Sequence, residues 1–161
     1  MRFLGNIEAK IDSKGRVFLP ATFRKELQSA GEDYLVIRKD IFQPCLVLYP
    51  GSVWNAQTDI LRSRLNRWDS THQQIFRQFV ADAETVTLDA NGRFIIVKRL
   101  IAEAGIGKAV RFIGMDDTIE IWNGETASTS MMSQEEFAAQ LENIMRPARD
   151  NATAAPPAAQ Q

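Results

Sequence analysis

Alternating hydrophobic and polar positions predict β-strands in both halves of the chain. Near the N-terminus, the apolar residues Ile7, Ala9 and Ile11 alternate with polar neighbours, which is the period of two expected for a strand with one buried face. Near the middle of the chain, Val86 and Leu88 begin a similar run. Each run leads into a polar turn and a second β-rich segment, so each half is predicted to begin with a β-hairpin.

The second half of the chain repeats the pattern of the first. Residues 12–19 read Asp-Ser-Lys-Gly-Arg-Val-Phe-Leu, and residues 89–96 read Asp-Ala-Asn-Gly-Arg-Phe-Ile-Ile, 77 positions later. Downstream, the apolar run at residues 34–40 aligns with residues 110–116 at an offset of 76, and a last pair of runs aligns at 73. Each half is therefore predicted to contain a strand, a turn, a strand, a short helix, a strand, a turn and a strand.

Helical patterns lie between and after the repeated segments. Ser52 and Ser70 are candidate caps for two helices that would form a hairpin between the halves. Ser133 and Glu136 form a capping box before a helix whose apolar residues are spaced four and three apart. Residues 147–161 are mostly Ala, Pro, Gln and Asn, so this segment is predicted to be a disordered tail.

The repeat predicts how the chain is organised. The first repeat, residues 1–79, supplies one half of a barrel and the helical hairpin, and the second repeat, residues 80–146, supplies the other half and the C-terminal helix. A repeated β unit implies a pseudo-two-fold axis, with small β elements of both halves interleaved. The predicted fold class is thus α+β: one compact domain built as a pseudo-two-fold repeated β-barrel with peripheral helices.

Composition excludes several classes of protein. The 161 residues include one cysteine and one histidine, which excludes an internal disulfide and a cysteine-based metal cluster. No apolar run approaches the roughly 20 residues that span a bilayer, and the N-terminus lacks the apolar core of a secretion signal. No catalytic pair and no phosphate-binding glycine loop is present. We expect a cytoplasmic protein that is not an enzyme, with no metal, cofactor, small-molecule substrate or membrane contact.

The charges are segregated along the chain. The net charge is only −1, with 19 basic and 20 acidic residues. Residues 10–25 nevertheless contain five basic residues and one acid, and residues 89–111 contain five basic residues and two acids. Residues 112–145 contain seven acids and no lysine or arginine. Each repeated turn therefore lies in a basic segment, which favours an interaction with the phosphates of nucleic acid.

The repeated Asp-x-x-Gly-Arg turn is the candidate DNA-binding site. If both turns lie on one rim of the barrel, Arg16 and Arg93 can bind phosphate or pair bidentately with guanine, with Lys14 and Asn91 beside them. The residues expected to brace the turns are Asp12, Gly15, Asp89 and Gly92. The same spacing also fits a purely local role, because Asp–Arg pairs in turns are common surface ion pairs worth about 0–1 kcal/mol.

Further residues accompany the two turns in a fixed order. They are Gly5-Asn6, Leu19-Pro20, Phe23-Arg24, Leu48-Tyr49-Pro50, Trp54, Phe76, Phe79 and Glu120-Ile121-Trp122. Together with the turns, this set resembles the MraZ family of bacterial DNA-binding regulators over about residues 1–145. The resemblance implies an AbrB-like swapped-hairpin barrel, with DNA contacts through Arg16 and its second-motif equivalent Arg93. One departure is Val97, which stands where the first copy has Pro20 and where the family usually has proline.

The resemblance also implies a biological role. It implies a repressor at the start of the bacterial division and cell-wall gene cluster, cytoplasmic and associated with the nucleoid. The family's ring-shaped homo-oligomers would contact short, direct, guanine-rich promoter repeats through several hairpin rims, which raises avidity. The alternative function is a homo-oligomeric scaffold that binds proteins through apolar helices and has no specific affinity for DNA.

Overall fold

The computed structural model of the protein describes residues 1–147. The segment predicted to be a disordered tail, residues 147–161, lies outside the described residues except for its first position. Residues 1–127 form one compact unit, and a second unit begins at Ser128. The boundaries that divide the chain into two repeats remain a prediction.

Residues 1–81 contain four strands and three helices. The strands are β1 (Asn6–Lys10), β2 (Arg16–Phe18), β3 (Leu35–Lys39) and β4 (Leu46–Pro50), and the helices are α1 (Ala21–Ser29), α2 (Gly51–Arg64) and α3 (Ser70–Ala81).

The remaining described residues contain four more strands and two α-helices. The strands are β5 (Glu84–Val86), β6 (Arg93–Ile95), β7 (Ala109–Met115) and β8 (Thr118–Asn123); the helices are α4 (Lys98–Glu103), a 3-10 turn (Ala127–Ser130) and α5 (Gln134–Ile144). The mixture of antiparallel sheet and helix confirms the predicted α+β fold class.

The two halves of the chain exchange strands. Among the described residues, β1, β7, β8, β4, β3 and β5 form a six-stranded antiparallel sheet in that order, and β2 pairs with β6. The first strand of each half, β1 or β5, therefore pairs with a strand of the other half, β7 or β3. If the large sheet is read from β5 back to β1 and each strand is replaced by its counterpart in the other half, the same order results.

The register corrects part of the predicted alignment. Ala9 of β1 pairs with Val110 of β7, and Val86 of β5, 77 positions after Ala9, pairs with Leu35 of β3. Leu35 is thus the counterpart of Val110, at an offset of 75 rather than 76, and the predicted match of Val110 to Tyr34 is wrong by one position. Four successive residues of β3 are buried, so this strand has no alternation from which its register can be deduced.

The short helices of the two halves close the core in the same way. Phe23 and Leu27 of α1 and Leu100 of α4 are buried with the inward residues of the strands. Burial of each such side chain contributes about 1.5–3 kcal/mol. A glycine with positive φ follows each helix, with φ +70° at Gly31 and +64° at Gly105, the conformation and residue type that commonly end a helix.

Two of the three predicted helix caps are wrong. Helix α2 begins without a side-chain cap, and the backbone N–H of Ser52 donates instead to Oε1 of Glu32 at 3.0 Å. Ser70 is the first residue of α3, while Asp69 accepts from two N–H groups of the first turn. Both Asp69 and Ser70 are favoured cap residues, so composition alone leaves the start of α3 uncertain by one position. Ser133 caps α5 as predicted.

Val97 adopts the backbone conformation of Pro20 at the matched corner. Pro20 precedes α1 with φ −51° and ψ 140°, and Val97 precedes α4 with φ −64° and ψ 149°. The departure from the family's proline therefore leaves the corner between strand and helix unchanged.

We expect Val97→Pro to raise the free energy of unfolding by about 0.4–1 kcal/mol. The native φ already suits proline, and the ring restricts the unfolded chain. Urea unfolding followed by circular dichroism measures the change. As a control, Ala102→Pro inside α4 should cost about 3 kcal/mol or more. A lower unfolding midpoint for Val97→Pro would contradict the equivalence of the two corners.

Candidate nucleic-acid interface

The first repeated turn is held by the side chain of its aspartate. Oδ1 of Asp12 accepts hydrogen bonds from the backbone N–H groups of Lys14 and Arg16, both at 2.9 Å. Oδ2 of Asp12 accepts from Nε of Arg16 at 2.7 Å. Gly15 has φ +84°, a conformation that favours glycine. One carboxylate thus fixes both the turn and the near edge of the guanidinium group.

The second turn repeats this geometry. Oδ1 of Asp89 accepts from the backbone N–H groups of Asn91 at 2.8 Å and Arg93 at 2.9 Å. Oδ2 accepts from Nε of Arg93 at 3.0 Å, and Gly92 has φ +85°. All four residues expected to brace the turns therefore lie where bracing requires them.

Each turn is also anchored to the opposite half of the chain. The carbonyl oxygen of Gly15 accepts from the N–H of Ile96 at 2.8 Å, and the carbonyl oxygen of Gly92 accepts from the N–H of Leu19 at 3.0 Å. A Cβ atom at Gly15 would meet the carbonyl oxygen of Ile96 at 2.7 Å, which is too close. Gly15 is therefore required for the close approach of the two halves as well as for its turn.

The two motif arginines lie on the same face of the β2–β6 ladder. Val17 pairs with Phe94 and both are buried, so the flanking side chains point outward. Arg93 pairs directly with Phe18, and its guanidinium carbon lies 5.7 Å from the centre of the Phe18 ring. Arg16 lies on the diagonal from Arg93, an arrangement that typically separates Cβ atoms by about 7–8 Å. Both arginines line one shallow depression.

The outer edge of each guanidinium group is available to a ligand. Nε of each arginine is bonded to its aspartate, but within residues 1–147 the terminal nitrogens of Arg16 and Arg93 donate to no other residue. The side chains of Arg16 and Arg93 are 38% and 30% exposed. Each arginine can therefore keep its ion pair with the aspartate and still offer its two terminal nitrogens to a ligand. Bidentate recognition of guanine or phosphate requires such a pair of donors.

Lys14 and Asn91 occupy equivalent positions at the tips of the two turns. Both are exposed, and each donates its backbone N–H to the aspartate of its turn. Their side chains differ in charge, since Lys14 is a cation and Asn91 a neutral amide. The four residues predicted to contact DNA all lie at the first residue of β2 or β6 or in the turn just before it.

The pKa of each bracing aspartate is below its ordinary value. For Asp12 the largest cause is the hydrogen bond from the backbone N–H of Arg16, with the guanidinium of Arg16 and the N–H of Lys14 adding to it. For Asp89 the largest cause is the backbone N–H of Arg93. Partial burial opposes the shift in both turns. The carboxylates therefore remain charged throughout the physiological pH range.

We expect both carboxyl groups to titrate below pH 3.8, the ordinary value for aspartate. Because the folded pKa is lowered, the stabilisation is complete above that value and is lost as the pH falls through the folded pKa. Carboxyl-carbon NMR shifts followed against pH measure the two midpoints. A midpoint at or above 3.8 for either motif aspartate would contradict the observed hydrogen bonding.

Other kinds of site are not formed by the described residues. Among residues 1–147, no group of three or more histidine, cysteine, aspartate and glutamate side chains is placed to hold a metal ion. No helix in this part of the chain has the length and apolar character needed to cross a membrane. Cys45 is buried, and its burial raises the thiol pKa to about 12, so the thiol stays protonated.

Sequence reasoning missed three neighbours of the candidate site. Phe18 and Ile95 are exposed apolar residues between the two arginines, 53% and 55% exposed. The signal for them was the alternation of the motif strands, which places the residue two positions after each arginine on the arginine's face. Arg24 lies against Gly92 of the second turn. No local pattern predicts that contact, because it joins opposite halves of the chain.

Comparison with known proteins assigns the chain to a family. A family model described as "MraZ protein, putative antitoxin-like" matches residues 2–77 and 79–147. The transcriptional regulator MraZ of Phocaeicola vulgatus is 61% identical over 145 residues, which cover 90% of this chain and 94% of that relative. The corresponding regulator of Bacteroides thetaiotaomicron is 60% identical over 145 residues, covering 90% and 93% of the two chains. That of Yersinia pestis is 32% identical over 124 residues, covering 77% and 81%. The chain therefore belongs to the MraZ family, a family of transcriptional regulators and not of enzymes.

Proposed function

We propose that the protein is a sequence-specific DNA-binding transcriptional repressor. The observation that carries the proposal is the geometry of Arg16 and Arg93, which lie on one exposed face with Nε bonded to an aspartate and with terminal nitrogens that have no hydrogen-bond partner within residues 1–147. Such preorganisation lowers the entropic cost of placing a donor pair against a base edge. The names of the relatives, transcriptional regulators, support the same function.

Guanine is the base that this geometry fits best. Its N7 and O6 atoms accept the two parallel hydrogen bonds of an arginine in the major groove. Residues on such a diagonal are typically about 7–8 Å apart, which corresponds to about two base-pair steps, so both arginines could reach bases of one site. Lys14 and Asn91, at the turn tips, are suited to phosphate contacts that fix the register but carry no sequence information.

The target that we propose is a set of guanine-rich direct repeats at the start of the division and cell-wall gene cluster. This part rests on the family resemblance of the two turns. The proposal is for a protein of the bacterial cytoplasm, associated with the nucleoid, without a cofactor, a small-molecule substrate or a membrane contact.

Self-association into a ring would supply the avidity that a single pair of turns lacks. Copies joined head to tail present their turns in one sense along the DNA, which suits direct repeats. Exposed apolar residues support an interface between copies. Ile41, Ile60 and Ile75 line an open groove of about 760 Å³ between α2 and α3, and they are 48–60% exposed. Apolar surface of this kind usually marks an interaction site.

The same groove favours the alternative function, a homo-oligomeric scaffold that binds proteins. The two functions differ in what holds a partner. A protein bound in the groove would remain bound at high salt and after nuclease treatment, because apolar contacts are not screened. A complex formed through the arginines would require DNA and would weaken steeply as salt rises.

A binding assay with the chain's own upstream region tests the proposal. Fluorescence anisotropy would compare this fragment with a scrambled fragment of the same base composition at several salt concentrations. We expect tighter binding to the native fragment, by a factor of about 10³ or more at physiological salt, and a linear fall of log affinity with log salt. Equal affinity for both fragments, or no binding at low salt, would overturn the proposal.

A further inference from the structure

The surroundings of the two turns differ at one matched position. Arg24 of α1 lies against the second turn, where a Cβ atom built on Gly92 would meet Cδ of Arg24 at 2.7 Å and Cζ at 2.9 Å. The counterpart of Arg24, 77 positions later, is Ile101. A Cβ atom on Gly15 of the first turn would meet Cδ1 of Ile101 at 3.8 Å. A cation therefore flanks the second turn, and an apolar side chain flanks the first.

Arg24 is fixed in this position by a short chain of hydrogen bonds. Its Nη1 donates to the carbonyl oxygen of Leu19 at 3.0 Å, and the N–H of Leu19 donates to the carbonyl oxygen of Gly92 at 3.0 Å. The side chain is half-buried. Within residues 1–147, Nε and Nη2 of Arg24 have no hydrogen-bond partner, and the group forms no ion pair. These nitrogens remain available to an anion beside the second turn.

At the tips of the turns the difference in charge is reversed. The third position of the motif is Lys14 in the first turn and the neutral Asn91 in the second. Each turn thus has its motif arginine and one further cation, but the cations come from different places. The first turn carries its own lysine, and the second turn is flanked by Arg24 from the other half of the chain.

The depression between α1 and the second turn holds one uncompensated charge. It is lined by Arg24, Gln28, Asn91 and the backbone of the turn, together with the acidic residue Asp89. Both oxygens of Asp89 are occupied by donors of its own turn, and its charge is balanced by Arg93. The charge of Arg24 is therefore the one that a ligand can neutralise.

We propose that Arg24, with Gln28 and Asn91 beside it, forms a binding subsite for one phosphate of the DNA backbone at the second turn. The proposal rests on the proposed DNA-binding function. The subsite replaces at the second turn the phosphate contact that Lys14 makes at the first. A planar guanidinium binds phosphate with two donors, whereas a lysine is a point charge. The two turns are therefore chemically unequal toward the backbone, and each protomer has one defined direction on the duplex.

The salt dependence of DNA binding by Arg24→Met tests the subsite. Methionine keeps an unbranched apolar stem against Gly92 and removes the charge. Loss of one phosphate contact should make the slope of log affinity against log salt less negative by about 0.9 for each protomer that contacts the DNA. For each such protomer, the factor by which the variant binds more weakly than wild type should shrink about 3.5-fold between roughly 50 and roughly 200 mM salt, equally for native and scrambled fragments. Arg24→Lys should restore most of the slope. Lys25→Met, one position further along α1, should retain the wild-type slope.

The possible outcomes separate this inference from the proposed function. A wild-type slope for Arg24→Met, in a protein whose binding is lost on Arg16→Ala, overturns the subsite and leaves DNA binding intact. An equal change for Lys25→Met also overturns it, because the effect is then a general one of charge on α1. Arg24→Met could instead lower both the DNA affinity and the urea midpoint. If Arg24→Lys does not restore them, Arg24 has a structural role and the subsite is overturned. Failure of the wild-type protein to bind DNA overturns both proposals.

Discussion

Alanine at both motif arginines is expected to abolish recognition of the promoter while the fold persists. Each bidentate arginine–guanine pair contributes about 1–3 kcal/mol of discrimination, so Arg16→Ala with Arg93→Ala removes about 2–6 kcal/mol per protomer. In an assembly of several protomers the loss multiplies, because avidity depends on every contact. Anisotropy with the upstream fragment measures binding, and light scattering after gel filtration measures the oligomeric state.

Two further variants separate specificity from charge. Arg16→Lys retains the positive charge but has no planar fork, so it should keep non-specific binding and lose preference for the native fragment. Arg2→Ala removes an exposed arginine whose Nη1 lies 2.6 Å from Oδ1 of Asp116, at the turn between β7 and β8. It is the matched control, because it also breaks an Arg–Asp pair, and it should bind as wild type does. Wild-type affinity of the double alanine variant would disprove the role of the motif arginines.

Gly15→Ala is expected to lower the free energy of unfolding by about 2–4 kcal/mol. A residue with a side chain at φ +84° is strained by about 1–3 kcal/mol. The added Cβ would also lie 2.7 Å from the carbonyl oxygen of Ile96, so the backbone must move and weaken the bond from Ile96 N–H to the Gly15 carbonyl oxygen. That bond contributes about 0.5–1.5 kcal/mol.

Gly31→Ala is the control for this substitution. Gly31 also has a positive φ, +70°, but nothing lies within 4 Å of a Cβ built there. Only the conformational cost should remain, about 1–2 kcal/mol. Urea unfolding of both variants measures the difference. Equal losses would mean that the approach of the opposite half does not constrain the turn, and would remove one reason for glycine in the motif.

Sequence reasoning succeeded where a residue acts on its near neighbours along the chain. The motif turns were predictable because Asp12 and Gly15 act within five consecutive positions, through hydrogen bonds that the aspartate accepts from the backbone N–H groups of Lys14 and Arg16. The glycine ends of α1 and α4 were predictable for the same reason. The likeness of the two motifs then indicated that both arginines occupy equivalent places, although it did not reveal which strands pair.

The errors of sequence reasoning arose where distant residues decide the outcome. The register of β3 depends on its pairing with β5, about 50 positions away, and the strand itself is buried on both faces. The contact of Arg24 with Gly92 joins α1 to the other half of the chain. Neither the register of β3 nor the contact of Arg24 with Gly92 produces a periodic pattern in the sequence, because both are set by packing in three dimensions.

The hydrogen bonds from the N–H groups of Leu19 and Ile96 to the carbonyl oxygens of Gly92 and Gly15 join the two motif turns to one another. The β2–β6 ladder between them is only three residues long in each strand, so neither turn has a scaffold of its own. Unfolding of one half would also remove the hydrogen bond that holds the turn of the other half. We therefore expect both turns to keep or lose their structure together, so that under the proposed function a protomer presents both arginines to a duplex or neither.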